Sequence, residues 1–136
     1  MVASVTLPGV LRSPGVGRQW AALVLEASGH THIDLVLLVL SELVANAVTH
    51  SRSRNRGGQI TVRLMDIGHQ IVEVEVIDDG SRNSVPHMRE PDDWGGRGLL
   101  VVEAASAKWG VREAYGGRTA VWAHLVTTAE RVGCVP

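Results

Sequence analysis

The chain has 136 residues, of which 45% are hydrophobic and 20% are charged, so it can bury the core of one domain and is not a disordered segment. The formal net charge is -1, so the chain lacks the excess of basic residues that is typical of nucleic-acid binders. We therefore expect no direct contact with nucleic acid.

The longest apolar run and the single cysteine both bear on the cellular compartment. The run, Leu35–Leu40, is far shorter than a membrane span. Cys134 can form no intrachain disulfide, which fits a reducing compartment. We therefore expect a cytoplasmic protein that has no contact with a membrane.

Two helices are predicted in the first part of the chain. Ser13 is the expected N-cap of the first, with Pro14 at its first helical position, and apolar residues recur at helical spacing from there to Gly29. The second runs from Asp34 to Val48 and is apolar nearly all round.

A polar stripe interrupts this second helix. Glu42, Asn46 and His50 recur at intervals of four residues, with Thr49 beside them, so they share one helix face. Because a carboxylate that is removed from water destabilises a protein, Glu42 should face a solvated cleft, a cation or a proton acceptor. The alternative is a helix with one wet face.

Two strands follow, Ile60–Leu64 and Ile71–Asp78, and they are predicted to pair as an antiparallel hairpin. Three alternating valines of the second strand point to one face, and the same alternation turns Asp78 inward. In one interpretation Asp78 accepts a hydrogen bond from the exocyclic amine of a ligand such as adenine. In the other it closes a turn with Asp79 and Gly80.

A long loop without periodicity occupies residues 80–96, and loops of that length are uncommon in a compact domain unless they are functional. Residues 95–98, three glycines and Arg97, lead from it into a helix, where backbone N–H groups and the helix dipole favour phosphate. Arg97, and Arg89 in the loop, either bind phosphate oxygens or remain solvated.

The last part of the chain is predicted as a helix followed by two strands. The helix begins at Gly98, and the strands Trp109–Ala114 and Thr119–Val126 are joined by a hairpin turn at 115–118. The order of elements predicts an α+β fold, a two-layer sandwich with a mostly antiparallel or mixed sheet and helices on one face.

Four motifs carry a resemblance to a known family. The chain resembles the GHKL (Bergerat-fold) ATPases in ELVANAVTH at 42–50, DDG at 78–80, GRGL at 96–99 and GRTAVW at 117–122, which follow the family's order. Its short length, the wording of the first motif and Trp122 look most like the anti-sigma-factor serine-protein kinases. The resemblance implies one ATP-binding domain with a core at about residues 14–126, a lid over ATP at about 80–97 and a tail at 127–136.

The resemblance implies a role for individual residues. Glu42 falls on the family's general base, which accepts a proton from an attacking hydroxyl, and Asn46 falls on its Mg²⁺ ligand. Asp78 falls on the acceptor for adenine. The rest of the implied nucleotide site consists of His50 near the phosphates, Gly80 beside the purine, Gly96, Arg97, Gly98 and Leu99 in the phosphate loop, and Thr119, which supports the adenine site. The implied cofactors are ATP or ADP and Mg²⁺.

One residue departs from the family pattern. Arg82 stands where the second motif often has a second glycine. If that position needs a positive φ, an arginine there destabilises the backbone or opens the lid differently. The adenine contact through Asp78 is not affected.

Two functions compete at this point. The first is an ATP- and Mg²⁺-binding regulatory protein that captures a sigma factor or an antagonist protein and phosphorylates a serine of the antagonist. The second is a binding module that uses nucleotide to set its conformation and transfers no phosphate. Glu42 favours the first, because a switch needs no base.

Two further points follow from the sequence. Metal binding through His30, His32, His50 and Cys134 lacks a ligand spacing of known type. Relatives of the resembling type often work as homodimers, and the sequence leaves the oligomeric state open.

Overall fold

The computed structural model describes residues 1–51, 53, 55–80 and 98–129, with the backbone alone at 98–99. Five strands form one antiparallel sheet. They are β1 (Val2–Pro8), β3 (Gln59–Asp66), β4 (Ile71–Asp78), β5 (Lys108–Ala114) and β6 (Arg118–Val126). Their order across the sheet is β1-β3-β4-β6-β5. A second, two-stranded sheet pairs β2 (His30–Thr31) with β7 (Thr128–Ala129). Both predicted hairpins are present, and a 3-10 turn at Tyr115–Gly117 joins β5 to β6.

The helices cover one face of the large sheet. They are α1 (Ser13–Ala27), α2 (Asp34–His50) and α3 (Gly98–Ala105). α2 contacts β3, β4 and β6 and also packs against both other helices, so it lies at the centre of the helical layer. The predicted α+β sandwich is confirmed. In the described ranges no helix is long and apolar enough to cross a membrane.

The core fills the space between α2 and the sheet. The alternating Val72, Val74 and Val76 of β4 are buried in the same cluster as Leu40 and Val44 of α2. Strand periodicity therefore turns the inner face of β4 toward the helices, as the sequence predicts.

β1 is absent from the prediction. It is an edge strand, and of its inward side chains Ala3 and Val5 are partly buried and only Leu7 is buried. The alternation of apolar and polar residues along it is therefore weak. Its pairing with β3, which sets Val5 opposite Val62 and Leu7 opposite Ile60, is a long-range interaction that no local pattern encodes.

The start of α1 also differs from the prediction. Ser13 is the first residue of the helix, and Arg12 takes the N-cap position without a side-chain capping bond. The Ser13 hydroxyl donates instead to the carbonyl oxygen of Pro8, which ties α1 to the end of β1. Pro14 lies in the first turn, where its missing N–H leaves no bond unmade.

The other face of the sheet carries a charged cluster. Glu75 of β4 is 4% exposed because Arg63 of β3 and Arg112 of β5 both contact its carboxylate. The Arg112 guanidinium also lies 5.9 Å from the centroid of the Trp122 ring. Strand alternation predicts which face of the sheet Glu75 occupies, whereas its burial depends on the side chains of Arg63, Arg112 and Trp122.

Candidate functional site

α2 positions the polar stripe. Glu42 and His50 are half-buried and Asn46 is 8% exposed, and their spacing sets each one helical turn from the next. Thr49 is exposed, and its hydroxyl donates to the carbonyl oxygen of Ala45 at 2.9 Å. The structure therefore brings Glu42, Asn46 and His50 to one face of a central helix.

The side-chain oxygen of Asn46 is the least satisfied polar atom of this stripe. Oδ1 is buried and has no hydrogen-bond partner among the described residues. Such an atom destabilises the fold by about 1–3 kcal/mol unless something binds it. Oxygen atoms of amides and carboxylates are the ligands that Mg²⁺ takes from proteins. Asn46, with Glu42 one turn before it, therefore fits the metal role.

A second part of the site lies at the end of β4. Asp78 is 4% exposed, and its Oδ1 accepts a hydrogen bond from the N–H of Gly80 at 2.7 Å. Asp78 thus does close a turn, as one interpretation of the sequence holds. An ionised carboxylate has about four acceptor positions, so this turn does not exclude a ligand contact. The strand register sets Thr119 of β6 directly opposite Asp78.

Gly80 brings the second motif against the fourth. Its φ is +84°, and a Cβ at this position would stand 2.3 Å from the carbonyl oxygen of Gly117. Only glycine combines that φ with so close a backbone approach. Asp78, Gly80, Gly117 and Thr119 are therefore assembled where β4 ends and the neighbouring strand β6 begins.

A chain of hydrogen bonds joins the end of α2 to the end of β4. The Ser51 hydroxyl donates to the carbonyl oxygen of Ala47 at 2.6 Å and accepts from the N–H of Ser53 at 3.0 Å. The Ser53 hydroxyl then accepts from the N–H of Asp79 at 2.8 Å. Sequence reasoning missed Ser51 and Ser53 and the hydrogen bond between Ser53 and Asp79, because that bond joins positions far apart in the chain.

The remaining predicted site residues are not described in full. Those outside the described residues include the lid and phosphate-loop positions Arg82, Arg89, Gly96 and Arg97. Gly98 and Leu99 form the start of α3 by their backbone.

His30 belongs to a separate buried cluster. Its Nδ1 lies 2.6 Å from the Thr127 hydroxyl oxygen, and its Nε2 lies 2.9 Å from Oδ2 of Asp66. The N–H of Gly68, and next the hydrogen bond with His30, hold the pKa of Asp66 below its usual range although burial opposes them.

The described histidines that were considered for metal binding, His30, His32 and His50, belong to no metal-binding group. Both ring nitrogens of His30 contact side chains of the protein. Within the part of the chain that the structure describes, no group of three His, Cys, Asp or Glu side chains could hold a metal ion. Cys134 lies outside that part.

Comparisons with known proteins agree with the fold. Residues 15–124 match a family model described as the histidine kinase-like ATPase domain. The solved structure of the RsbU and RsbW domains of Rv1364c from Mycobacterium tuberculosis is similar, with a TM-score of 0.71 and 22% sequence identity. The match covers 96% of this chain and 34% of that chain, so this chain spans about a third of its length. A comparison with curated proteins found no match.

Proposed function

The chain belongs to the histidine kinase-like ATPase domain family, and on that premise we propose that it is an anti-sigma regulatory factor with serine-protein kinase activity. Its substrates are ATP with Mg²⁺ and a serine of an antagonist protein, and it captures either a sigma factor or that antagonist. The proposed setting is the cytosol, and the proposed assembly is a homodimer.

One observation carries the proposal. On the same face of α2, the half-buried Glu42 precedes by one turn an asparagine whose buried Oδ1 has no partner among the described residues. A domain that only needed a stable helix would gain by an apolar residue at position 46. A metal ligand with a carboxylate beside it supports phosphoryl transfer.

The roles of the residues follow from their chemistry. Mg²⁺, when bound, neutralises charge on the phosphates. Asn46 would hold it through Oδ1, and Asp78 would accept a hydrogen bond from the adenine amine. Glu42 would accept the proton of the serine hydroxyl as that oxygen attacks the γ-phosphorus of ATP, and ADP would leave with the bridging oxygen of the broken P–O bond.

In this proposal the protein substrate binds in a groove beside the end of α2. Its volume is about 700 Å³, and it lies between the loop after β1 and the last turn of the helix. Leu11 lines it and is 89% exposed, and Val48 and Thr49 of α2 line it as well. Exposed apolar side chains next to a site favour a protein partner there.

The test is a single-turnover assay with labelled ATP and an antagonist isolated by pull-down from the native cytosol. Glu42→Gln keeps the shape of the side chain and removes the base, so we expect transfer to fall by roughly 10²–10⁴-fold with nucleotide affinity retained. Asn46→Ala should weaken MgATP binding first. An undiminished rate in Glu42→Gln would show that Glu42 is not the base.

The runner-up function is decided by the same assay. If the wild type binds MgATP and the antagonist but transfers no phosphate, the chain is a nucleotide-dependent binding module. The proposed kinase activity is then wrong, while the nucleotide site stands.

A further inference from the structure

We propose that Ser53 is a positioning residue of the adenine end of the nucleotide site, an inference that rests on the proposed nucleotide binding. Ser53 is fully buried in the connection between α2 and β3. It contacts neither Asn46 nor Asp78 by any hydrogen bond that the structure shows. Its effect is to hold the two elements that carry them in one arrangement.

The hydroxyl of Ser53 makes two hydrogen bonds at once. It donates to the carbonyl oxygen of Gln59 at 2.7 Å and accepts from the N–H of Asp79 at 2.8 Å. Gln59 is the first residue of β3. The N–H of Asp79 belongs to the peptide unit between Asp78 and Asp79. Ser53 thereby fixes the orientation of the peptide that directly follows the adenine acceptor.

The side chain of Asp79 completes a hydrogen-bonded clamp that consists of Ser51, Ser53, Gln59 and Asp79. Its Oδ2 accepts from the N–H of Gln59 at 2.9 Å, and its Oδ1 lies 3.8 Å from Nε of Arg118. Asp79 is therefore held by the strands β3 and β6 on either side of β4. Because neighbouring residues of an extended chain point to opposite faces, this hold directs Asp78 toward the helices.

The other end of the clamp is α2. The N–H of Ser53 donates to the Ser51 hydroxyl, which donates in turn to the carbonyl oxygen of Ala47 in the last turn of the helix. Close packing enforces the same geometry, since a Cβ at Gly58 would stand 1.9 Å from the carbonyl oxygen of Ser53. Loss of the Ser53 hydroxyl would remove the hydrogen-bond partner of the Gln59 carbonyl oxygen and of the Asp79 N–H, both part-buried.

The test is a calorimetric titration of the full chain with MgADP and with MgGDP, at a temperature where circular dichroism shows each variant to be folded. Guanine presents an oxygen where adenine presents the amine, so the ratio of the two affinities reports on the Asp78 corner. We expect Ser53→Ala to lower MgADP affinity about tenfold and MgGDP affinity less than twofold. The control is Ser41→Ala. The Ser41 hydroxyl donates to the carbonyl oxygen of Leu38 within α2 and has no part in the clamp.

Each outcome separates this inference from the proposed function. Wild type that binds no MgADP refutes the nucleotide site itself. Wild-type binding with unchanged MgADP affinity in Ser53→Ala, or with equal losses for both nucleotides, overturns the positioning role alone. If Ser53→Ala does not fold, Ser51→Ala replaces it with an expected threefold loss for MgADP, and full affinity in that variant also overturns the role.

Discussion

Gly80 is the residue at which the second and fourth motifs touch, and its replacement by alanine tests that contact. Gly80→Ala imposes a side chain on a φ of +84° and sets its Cβ 2.3 Å from the oxygen of Gly117. We expect MgADP affinity to fall at least about tenfold, because the strand ends must separate. Calorimetry at a temperature below unfolding measures this loss.

Gly116→Ala is the matched control for that change. Gly116 has a φ of +75°, yet no heavy atom would come within 4 Å of an added Cβ. It should lose roughly 1–2 kcal/mol of stability from its φ and keep its affinity for nucleotide. Equal losses of affinity in both variants would mean that the contact with Gly117 has no part in the site.

Asp66 gives the chain a predictable response to acid. Its folded-state pKa lies below the ordinary 3.8, so the ionised form stabilises the fold above that pH, and this stabilisation is lost as the pH falls through the folded-state pKa. Asp66→Asn should therefore lower the free energy of unfolding by about 1 kcal/mol near pH 7 and leave a shallower decline below pH 4. Urea unfolding across that range, with the exposed Asp34→Asn as control, is the measurement.

The result that would contradict this expectation is a constant difference between Asp66→Asn and wild type at every pH. His30 would then stabilise the cluster through packing and through Thr127, with no contribution from the charge on Asp66.

At the scale of elements, the sequence predicts what local periodicity encodes. α2 and β4 lie where predicted because a continuous helical pattern and a strict alternation need no partner to be recognised. The same two patterns place Glu42 and Asn46 on one helix face and Asp78 on the inner sheet face. That is half of the site.

The other half depends on pairing between distant segments. β1 exists through its ladder with β3, and Ser13 leaves its expected capping role because the carbonyl of Pro8 lies within reach. Ser53 shows the same limit, since its hydrogen bond with Asp79 spans the whole β3–β4 hairpin. A local pattern carries no information about any of these contacts.

On the scale of the whole molecule, the site is built between the two layers. In the proposed function α2 supplies the metal and base side and the end of β4 with the start of β6 supplies the adenine side. The hydrogen-bond chain Ser51–Ser53–Asp79 connects these two parts of the structure. A ligand that spans both sides binds the folded state and not the unfolded chain. Its binding must therefore raise the apparent stability of the entire domain.

The thermal melt of the whole chain tests this arrangement most directly. At about a hundredfold excess of MgADP over its dissociation constant, the stabilisation is about 2.7 kcal/mol, which for a domain of this size raises Tm by about 10 °C. MgGDP at the same concentration should raise Tm less, because the exocyclic O6 of guanine is an acceptor and cannot donate to the carboxylate of Asp78. Asp78→Asn should remove the difference between the two nucleotides. Equal shifts in the wild type would make Asp78 a turn residue only, and the absence of any shift at millimolar concentration would remove the nucleotide site together with the proposed kinase activity.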